Sequence, residues 1–286
     1  MMPTKSRNQI SVLLRYKEES ILFDCGEGTQ RQLRIANISP TKITKILISH
    51  WHSDHVLGLP GLISTLSASN YNNKLEIFGP RNSKEFISTM LKTFMPYDLI
   101  NYEVHEIKSQ KFFESKDFYL EALPMNHGIP CFGYSFIEKD RRKINMDYLK
   151  KFNLKQHPII KKLQSGQDII WKDKKIKADL ATKIVKGKKI TFVTDTLPNE
   201  NIIKLAKNSD LFICEATHTK DISEKTEKFK HMTAEQAAKL AKSANVKKLV
   251  LTHYSQRYKT VSPILEEAKK VFPETIASED FKVIKV

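Results

Sequence analysis

The segment KILISHWHSDHVLGLPGL, residues 45–62, constrains this chain more than any other. Its short apolar run reads as a buried strand, and His50, His52, Asp54 and His55 follow within six residues. In an extended chain alternate side chains share a side, so His50 and His52 point the same way while Asp54 and His55 follow in the turn. One segment thereby offers imidazole and carboxylate donors to two neighbouring cations. A lone histidine is ordinarily a satisfied core or surface residue, but HxHxDH directly behind a strand is far more specific for metal.

Such a cluster cannot complete two sites alone, and three further residues stand at strand ends. They are His127 in LPMNHGIPCFGY, Asp195 in ITFVTDT and His253 in LVLTHYSQRY. Loops held by a rigid scaffold are where ligands are presented. Taken singly, each also fits a structural role: Asp195 as a helix cap, His127 as a turn residue. Taken together, five histidines and two aspartates make a hard-to-borderline donor set that suits Zn²⁺, with Mn²⁺ compatible.

The scaffold itself reads as α/β. Apolar runs such as SILFDCG, KILISH, LEIFGP, FYLEALPM, CFGYSFI, KITFVTD, DLFICEA, KLVLTHY and FKVIKV predict buried strands. Helical periodicity appears at 83–94, 233–244 and 261–271. In the second of these Thr233 and Gln236 form a capping box ahead of a stripe of Ala237, Ala238, Leu240, Ala241 and Ala244. Strands alternating with helices argue for sheets covered by helices, and 286 residues suit one large domain, 1–286, carrying an insertion. No uncharged apolar run approaches the roughly 18 residues of a membrane span, and the start has no secretory h-region, so a cytoplasmic protein is expected. Cys25, Cys131 and Cys214 are too widely spaced for a metal clip and fit reduced, buried thiols.

The formal charge is +16. Two readings fit that number alone, a polyanionic partner or a generally lysine-rich surface. The distribution separates them. Residues 138–186 hold 15 Lys or Arg against 6 Asp or Glu, and so carry +9 of the +16. With no strong core pattern, this stretch reads as a basic projecting arm inserted in the domain.

At this point the sequence resembles the metallo-β-lactamase superfamily and, within it, ribonuclease Z, the tRNA 3′-processing endonuclease. PTKSRN at 3–8 resembles that family's PxKxRN loop, LFDCGEGTQRQL its first core motif and HWHSDH its metal motif. CEATH at 214–218, HMT at 231–233 and THYSQRY at 252–258 resemble three more. HxHxDH marks only the superfamily, whereas GEGTQRQ with EATH and HMT is specific to ribonuclease Z.

The resemblance implies an αβ/βα sandwich with two Zn²⁺ per chain: His50, His52 and His127 on one ion, Asp54, His55 and His253 on the other, and Asp195 bridging. Two such ions, roughly 3.5–4 Å apart, clamp a scissile phosphate and lower the pKa of a shared water to about 7. Asp54 would orient that water. Glu215 would polarise His231, the general acid for the leaving 3′ oxygen. Without the resemblance, Glu215 and His231 read as a loop charge and a residue ahead of a capped helix. His218, in EATH, would support the ligands from behind, and His105 and His157 would be exposed.

The arm is expected to act as the family's tRNA-gripping exosite. HPIIKKLQSGQ at 157–167 resembles its GPLxGKLxxGE pattern, but His157 and Lys161 stand where the family tends to have glycine, so a different turn is expected there. Lys161 and Lys162 would contact phosphate, while Lys5, Arg7 and Asn8 would face the acceptor end. Arg257 fits a phosphate contact or an ion pair within the fold equally well. The implied partner is precursor tRNA, with a homodimer and with neither DNA nor membrane. Family members usually open with one more strand, ending in a GTG turn, and its absence predicts an unpaired sheet edge. The rival readings are another phosphodiesterase or a thioester or lactam hydrolase on the same fold, which would lack the arm, and a noncatalytic tRNA-binding relative, which would have lost ligands.

Overall fold

The computed structural model describes residues 2–94 and 100–286. In chain order its strands are β1 (Val12–Tyr16), β2 (Glu19–Phe23), β3 (Lys45–Leu47), β4 (Leu75–Gly79), β5 (Tyr102–Glu106), β6 (Lys111–Glu114), β7 (Phe118–Pro124) and β8 (Phe132–Glu138). They continue as β9 (Arg141–Ile144), β10 (Ile169–Trp171), β11 (Lys174–Ile176), β12 (Thr182–Val185), β13 (Lys189–Val193), β14 (Leu211–Glu215), β15 (Leu249–Thr252) and β16 (Thr275–Ala277).

One sheet has the order β1-β2-β3-β4-β5, antiparallel between β1 and β2 and parallel from there on. A second has the order β16-β15-β14-β13-β8-β7-β6, with β13 to β16 parallel. Strands buried on both faces are nearly all apolar, and β3 and β15 are buried at every position. Aromatic rings join the sheets face to face: Phe23 lies 6.3 Å from Tyr134 and 5.3 Å from Phe192, and Phe78 lies 5.1 Å from Phe112.

Helices cover the outer faces. Leu59–Ala68 and Ser83–Phe94 bury Leu59, Leu62, Ile63, Leu66, Ile87 and Leu91 with Ile46, Ile48 and Ile77 of the first sheet. Glu200–Ala206, Ala234–Ser243 and Ser262–Val271 do the same for the second sheet around Phe212, Leu249 and Leu251. The capping box of Thr233 and Gln236 is formed, and the alanine stripe behind it lets that helix approach the sheet closely. This is the αβ/βα sandwich. Among the described residues no helix is long and apolar enough to cross a membrane.

Chain contacts define two compact units, one of 1–114, 120–136 and 189–286, the other of 115–119 and 137–188. The second unit is not coreless, which corrects the reading of 138–186. The antiparallel pair β9/β12, the hairpin β10/β11 and three short helices enclose Leu149, Leu154, Leu163, Ile169, Ile176, Ala178 and Ala181. The pattern hid because these residues come from five short elements and a loop and share no single period. Neither His157 nor Lys161 has positive φ, and Lys161 lies within the helix Ile160–Gln164, so neither position calls for glycine's conformational freedom in this chain.

A second correction concerns FKVIKV, which forms no strand. The place beside β15 is taken by β16, and Phe281, Val283 and Val286 are 49%, 82% and 46% exposed.

Candidate metal centre

Parallel strands deliver their carboxyl ends to one rim of a sheet, where ligands collect. Asp24 follows β2, the 50–55 cluster follows β3, Asp195 follows β13, Glu215 and Thr217 end β14 and His253 follows β15. His127 follows β7. Asp24 and His253 have φ of 55° and 58°, a left-handed turn that swings each side chain away from its strand's pleat.

The loop carrying the histidines is braced by backbone. Cys25 N–H donates to His55 O at 2.8 Å and Gly58 N–H to Cys25 O at 2.9 Å. A Cβ on Gly58 would lie 2.1 Å from Gly26 O, and one on Gly26 would lie 2.6 Å from Asp54 O. The first glycine of DCGEG and that of VLGL, Gly26 and Gly58, are therefore there for close approach of two main chains.

Seven predicted ligands converge in two clusters that share Asp195. In the first, His50 Nε2 and His127 Nε2 each lie 3.1 Å from His52 Nδ1 and 3.7 Å from Asp195 Oδ2. In the second, Asp54 Oδ2 lies 3.5 Å from both His55 Nε2 and His253 Nε2, and Asp195 stands 3.6 Å from the former and 3.1 Å from the latter. Donors around a tetrahedral ion with bonds near 2.0–2.1 Å sit roughly 3.3 Å apart, so both clusters have the span of a divalent metal site. Buried ring nitrogens ordinarily find hydrogen bonds; His55 Nε2 and His253 Nε2 are buried and have none. Those orphaned atoms, aimed at carboxylates, fit a cation.

The Nδ1 atoms of His50, His55, His127 and His253 are fixed from behind. His55 Nδ1 lies 2.7 Å from Asp24 Oδ2, and Asp24 is itself held by Ser49 N–H at 2.7 Å and Ser49 Oγ at 2.8 Å. His50 Nδ1 meets Ser49 Oγ at 3.0 Å, His127 Nδ1 meets Lys230 O at 3.1 Å and His253 Nδ1 meets Thr217 Oγ1 at 3.2 Å. Such partners set the tautomer that turns Nε2 toward metal. Asp24, Ser49 and Thr217 escaped the reading of sequence. The signal for Asp24 was present, an acid closing the apolar strand SILF. His218 is buried with its Nδ1 3.0 Å from Thr226 Oγ1.

Glu215 is fully buried and accepts from Thr196 N–H at 2.6 Å and Thr217 Oγ1 at 2.6 Å. Its Oε2 lies 3.1 Å from His231 Nδ1, which is 3.9 Å from Asp195 Oδ2. Burial pulls the His231 pKa down, but the Glu215 charge and hydrogen bond, helped by Asp195, hold it up at about 8. Burial lowers His50, His52 and His127 and takes His253 to about 4, leaving neutral imidazoles with lone pairs to give. His55 differs: against its burial, Asp195 and Asp24 raise it to about 9, so a cation at Nε2 must displace that proton.

The expected RNA contacts are spread more widely. Lys5, Lys161, Lys162 and Arg257 are exposed, and Arg257 forms no ion pair among the described residues. Arg7 and Asn8 are engaged within the protein: Arg7 Nη2 donates to Tyr258 O at 2.6 Å, and Asn8 donates to Asp280 Oδ2 through its side chain at 2.5 Å and its backbone at 3.1 Å. Asp280, just ahead of FKVIKV, and Tyr258 thus hold the 3–8 loop. His105 is half-buried rather than exposed, and His157 is exposed. The three cysteines are free and buried.

Residues 3–184 match the family model described as "Anti-Pycsar protein Apyc1". Curated proteins named ribonuclease Z match along nearly the full length. The chain is 40% identical to one from Bacillus licheniformis, covering 98% of this chain and 94% of that protein. It is 38% identical to one from Methanothermobacter thermautotrophicus, covering 100% and 93%. Among solved structures, the short form of human tRNase Z superposes with a TM-score of 0.72 at 30% identity, covering 100% of this chain and 95% of that one. The family model stops short of Asp195, Glu215, His231 and His253, which the full-length relatives span; the chain belongs to that model's sequence family and, over its whole length, to the ribonuclease Z family of metallo-β-lactamase-fold enzymes.

Proposed function

We propose that the two clusters meeting at Asp195 hold two divalent cations, Zn²⁺ with Mn²⁺ compatible, and that the chain uses them to cut precursor tRNA after the discriminator base. The products are a tRNA ending in a 3′-hydroxyl and a trailer beginning with a 5′-phosphate. The observation that carries this reading is the Glu215–His231 pair beside Asp195, an acid that a site built only to bind metal does not need. The names ribonuclease Z and tRNase Z borne by the relatives supply the substrate class.

When bound, the ions would supply Lewis acidity toward the scissile phosphate and would lower the pKa of a bound water. The chain's own groups do the rest. Asp54, its Oδ2 3.5 Å from two ring nitrogens of the second cluster, accepts from the attacking water and aims it at phosphorus. His231, protonated near neutral pH and anchored through Nδ1, gives its Nε2 proton to the departing ribose 3′ oxygen. Glu215 keeps that proton available and fixes the ring.

Lys161 and Lys162 on the basic unit grip tRNA phosphates by charge and shape, and Lys5, Arg7, Asn8 and Arg257 line the approach of the acceptor end. We further assign the chain to the cytoplasm and to a homodimer; a monomeric mass in solution with full activity on precursor tRNA overturns the dimer. The direct test is incubation of the purified protein with a 3′-extended precursor tRNA, with and without chelator, and mapping of product ends. One chelator-sensitive cut at the discriminator is expected. Cuts scattered along the RNA, or a cut indifferent to chelator, refute the reading.

A further inference from the structure

The helix Ser223–Lys228 ends just ahead of His231, and the residue that closes it is Lys230. Lys230 N–H donates to Glu227 O and His231 N–H to Thr226 O, both at 3.0 Å, the two bonds of a Schellman motif, and Lys230 takes its left-handed position with φ 55°. There a Cβ crowds the following carbonyl, so glycine or asparagine is the ordinary occupant. The chain follows that rule elsewhere. Among the described residues the same two bonds close five other helices, at Asn37, Asn70, Asn153, Gly166 and Asn245. Lys17 and Lys172 also have positive φ, but in the turns of β1/β2 and β10/β11 rather than at a helix end. A lysine held at a helix end against the preference of its own backbone points to a use for its side chain. Two contacts place it. Lys230 O meets His127 Nδ1 at 3.1 Å, and the rings of His127 and His231 lie 5.4 Å apart, so the backbone of Lys230 is fixed beside both a metal ligand and the acid. From there the stem runs over exposed Gly128, where a Cβ would stand 3.4 Å from Lys230 Cδ and Nζ and 3.6 Å from Cε. The ammonium forms no ion pair among the described residues. A half-buried stem with an unpaired head keeps a cation at a fixed point for an anion from outside.

We infer that Lys230 binds the phosphate on the 5′ side of the discriminator nucleotide, the one immediately upstream of the scissile phosphate. The inference rests on the proposed cleavage of precursor tRNA. Position selects that phosphate over the scissile one. His127 turns Nε2 toward His52 and the first cluster, while Lys230 O meets Nδ1 on the opposite edge of the ring, so Lys230 flanks the centre and does not face it. Position also selects the upstream side over the trailer. His231 serves the 3′ oxygen of the discriminator ribose, and Lys230 is its neighbour in the chain, on the flank where that same nucleotide's other phosphate leaves. A charge contact to phosphate fixes register without reading a base, as an enzyme acting on many tRNAs requires. Lys230 is thus a positioning residue that holds the discriminator ribose against its acid and takes no part in breaking the bond.

Lys230→Asn supplies the residue that the chain uses at four other helix ends, and Lys230→Arg keeps the charge. Each is measured by filter binding to a tRNA that ends at the discriminator, which leaves no trailer to cut, and by cleavage of the 3′-extended precursor. For a charge-assisted phosphate contact, Lys230→Asn should bind roughly 10- to 100-fold more weakly. Its dependence of log affinity on log salt should be shallower by roughly one unit, and Lys230→Arg should stay near the parent. A methylphosphonate at the discriminator's 5′ phosphate should weaken the parent and add nothing to Lys230→Asn. The same change one phosphate further into the acceptor stem should leave parent and variant as far apart as before. The urea midpoint of Lys230→Asn should hold or rise, because asparagine relieves the backbone. A lower midpoint with unchanged affinity makes the lysine a packing residue and overturns the proposal, as does a difference between parent and variant that survives the methylphosphonate. Binding and cutting are read separately. A parent that never cuts the precursor yet binds the tRNA through Lys230 refutes the cleavage and keeps the contact. A parent that cuts at the discriminator while Lys230→Asn binds as tightly refutes the contact and keeps the cleavage.

Discussion

His231 shows how one neighbour decides the chemistry of a residue. Burial alone would leave it neutral, and Glu215 with Asp195 reverses that, to a pKa of about 8. A raised pKa means the acid form is present at neutral pH and lost as pH rises through about 8, so single-turnover kcat should fall on the alkaline side. Glu215→Gln removes the countercharge, lets burial dominate and moves that limb below the ordinary histidine value of roughly 6.5. At pH 7 the variant should lose at least about threefold in kcat, with about 10²–10⁴-fold, the whole contribution of a general acid, as the ceiling. A pH–rate profile whose alkaline limb stays in place would assign the limb to another group. His52 makes a cleaner separation of roles, because it is exposed while its neighbours are buried. His52→Ala should abolish cleavage and leave tRNA affinity within about threefold by filter binding; a parallel loss of binding would make the residue structural. The seven ligands were legible because HxHxDH and three strand-end residues carry their chemistry in the sequence. Asp24 was not, since a single aspartate closing a strand has many ordinary explanations and only its 2.7 Å contact with His55 distinguishes it.

Among the elements, loops rather than helices carry the precision. The turn after His55 and the loop after β2 touch through bare main chain at Gly58 and Gly26, with hydrogen bonds of 2.8 and 2.9 Å on either side. A methyl group on Gly58 would fall 2.1 Å from a carbonyl oxygen that has no flexible end to move. Gly58→Ala should therefore destabilise the fold by roughly 2–4 kcal/mol, seen as a lower urea midpoint, and should reduce bound metal per chain. Unchanged metal content in a folded Gly58→Ala protein would show that the brace does not position the ligands. Helices 83–94 and 233–244 were legible because their apolar stripes and the Thr233 box agree with one period. FKVIKV failed because alternation alone does not supply a pairing partner, and β16 already occupied the edge of β15. Just ahead of it Asp280 meets Asn8, a contact between residues 272 positions apart that no local pattern encodes.

For the whole molecule, charge and fold are distributed separately. The catalytic unit is built from sheets and ring contacts, while more than half of the excess charge lies in 138–186. That concentration was legible as a count, but the unit's own core was not, because Leu149, Leu163 and Ile176 reach one another only after the β10/β11 hairpin and the distant β9/β12 pair have closed. The closure also says where to cut. Asn145 N–H donates to Ala181 O at 2.8 Å beside the β9/β12 pair, so residues 146–180 leave and return at one point. Replacing 146–180 by a short Gly-Ser turn removes the small core except for Ala181. The shortened protein should turn over bis(p-nitrophenyl) phosphate within about twofold of the parent, since every residue of the two clusters lies outside the excised stretch. Its KM for precursor tRNA should rise at least about tenfold. The dependence of log affinity on log salt should also become shallower, by roughly one unit for each tRNA phosphate that the excised stretch neutralises. A higher KM with an unchanged slope would mean that the unit shapes the substrate path without touching phosphate. Collapse of the small-diester activity would mean that it belongs to the catalytic core.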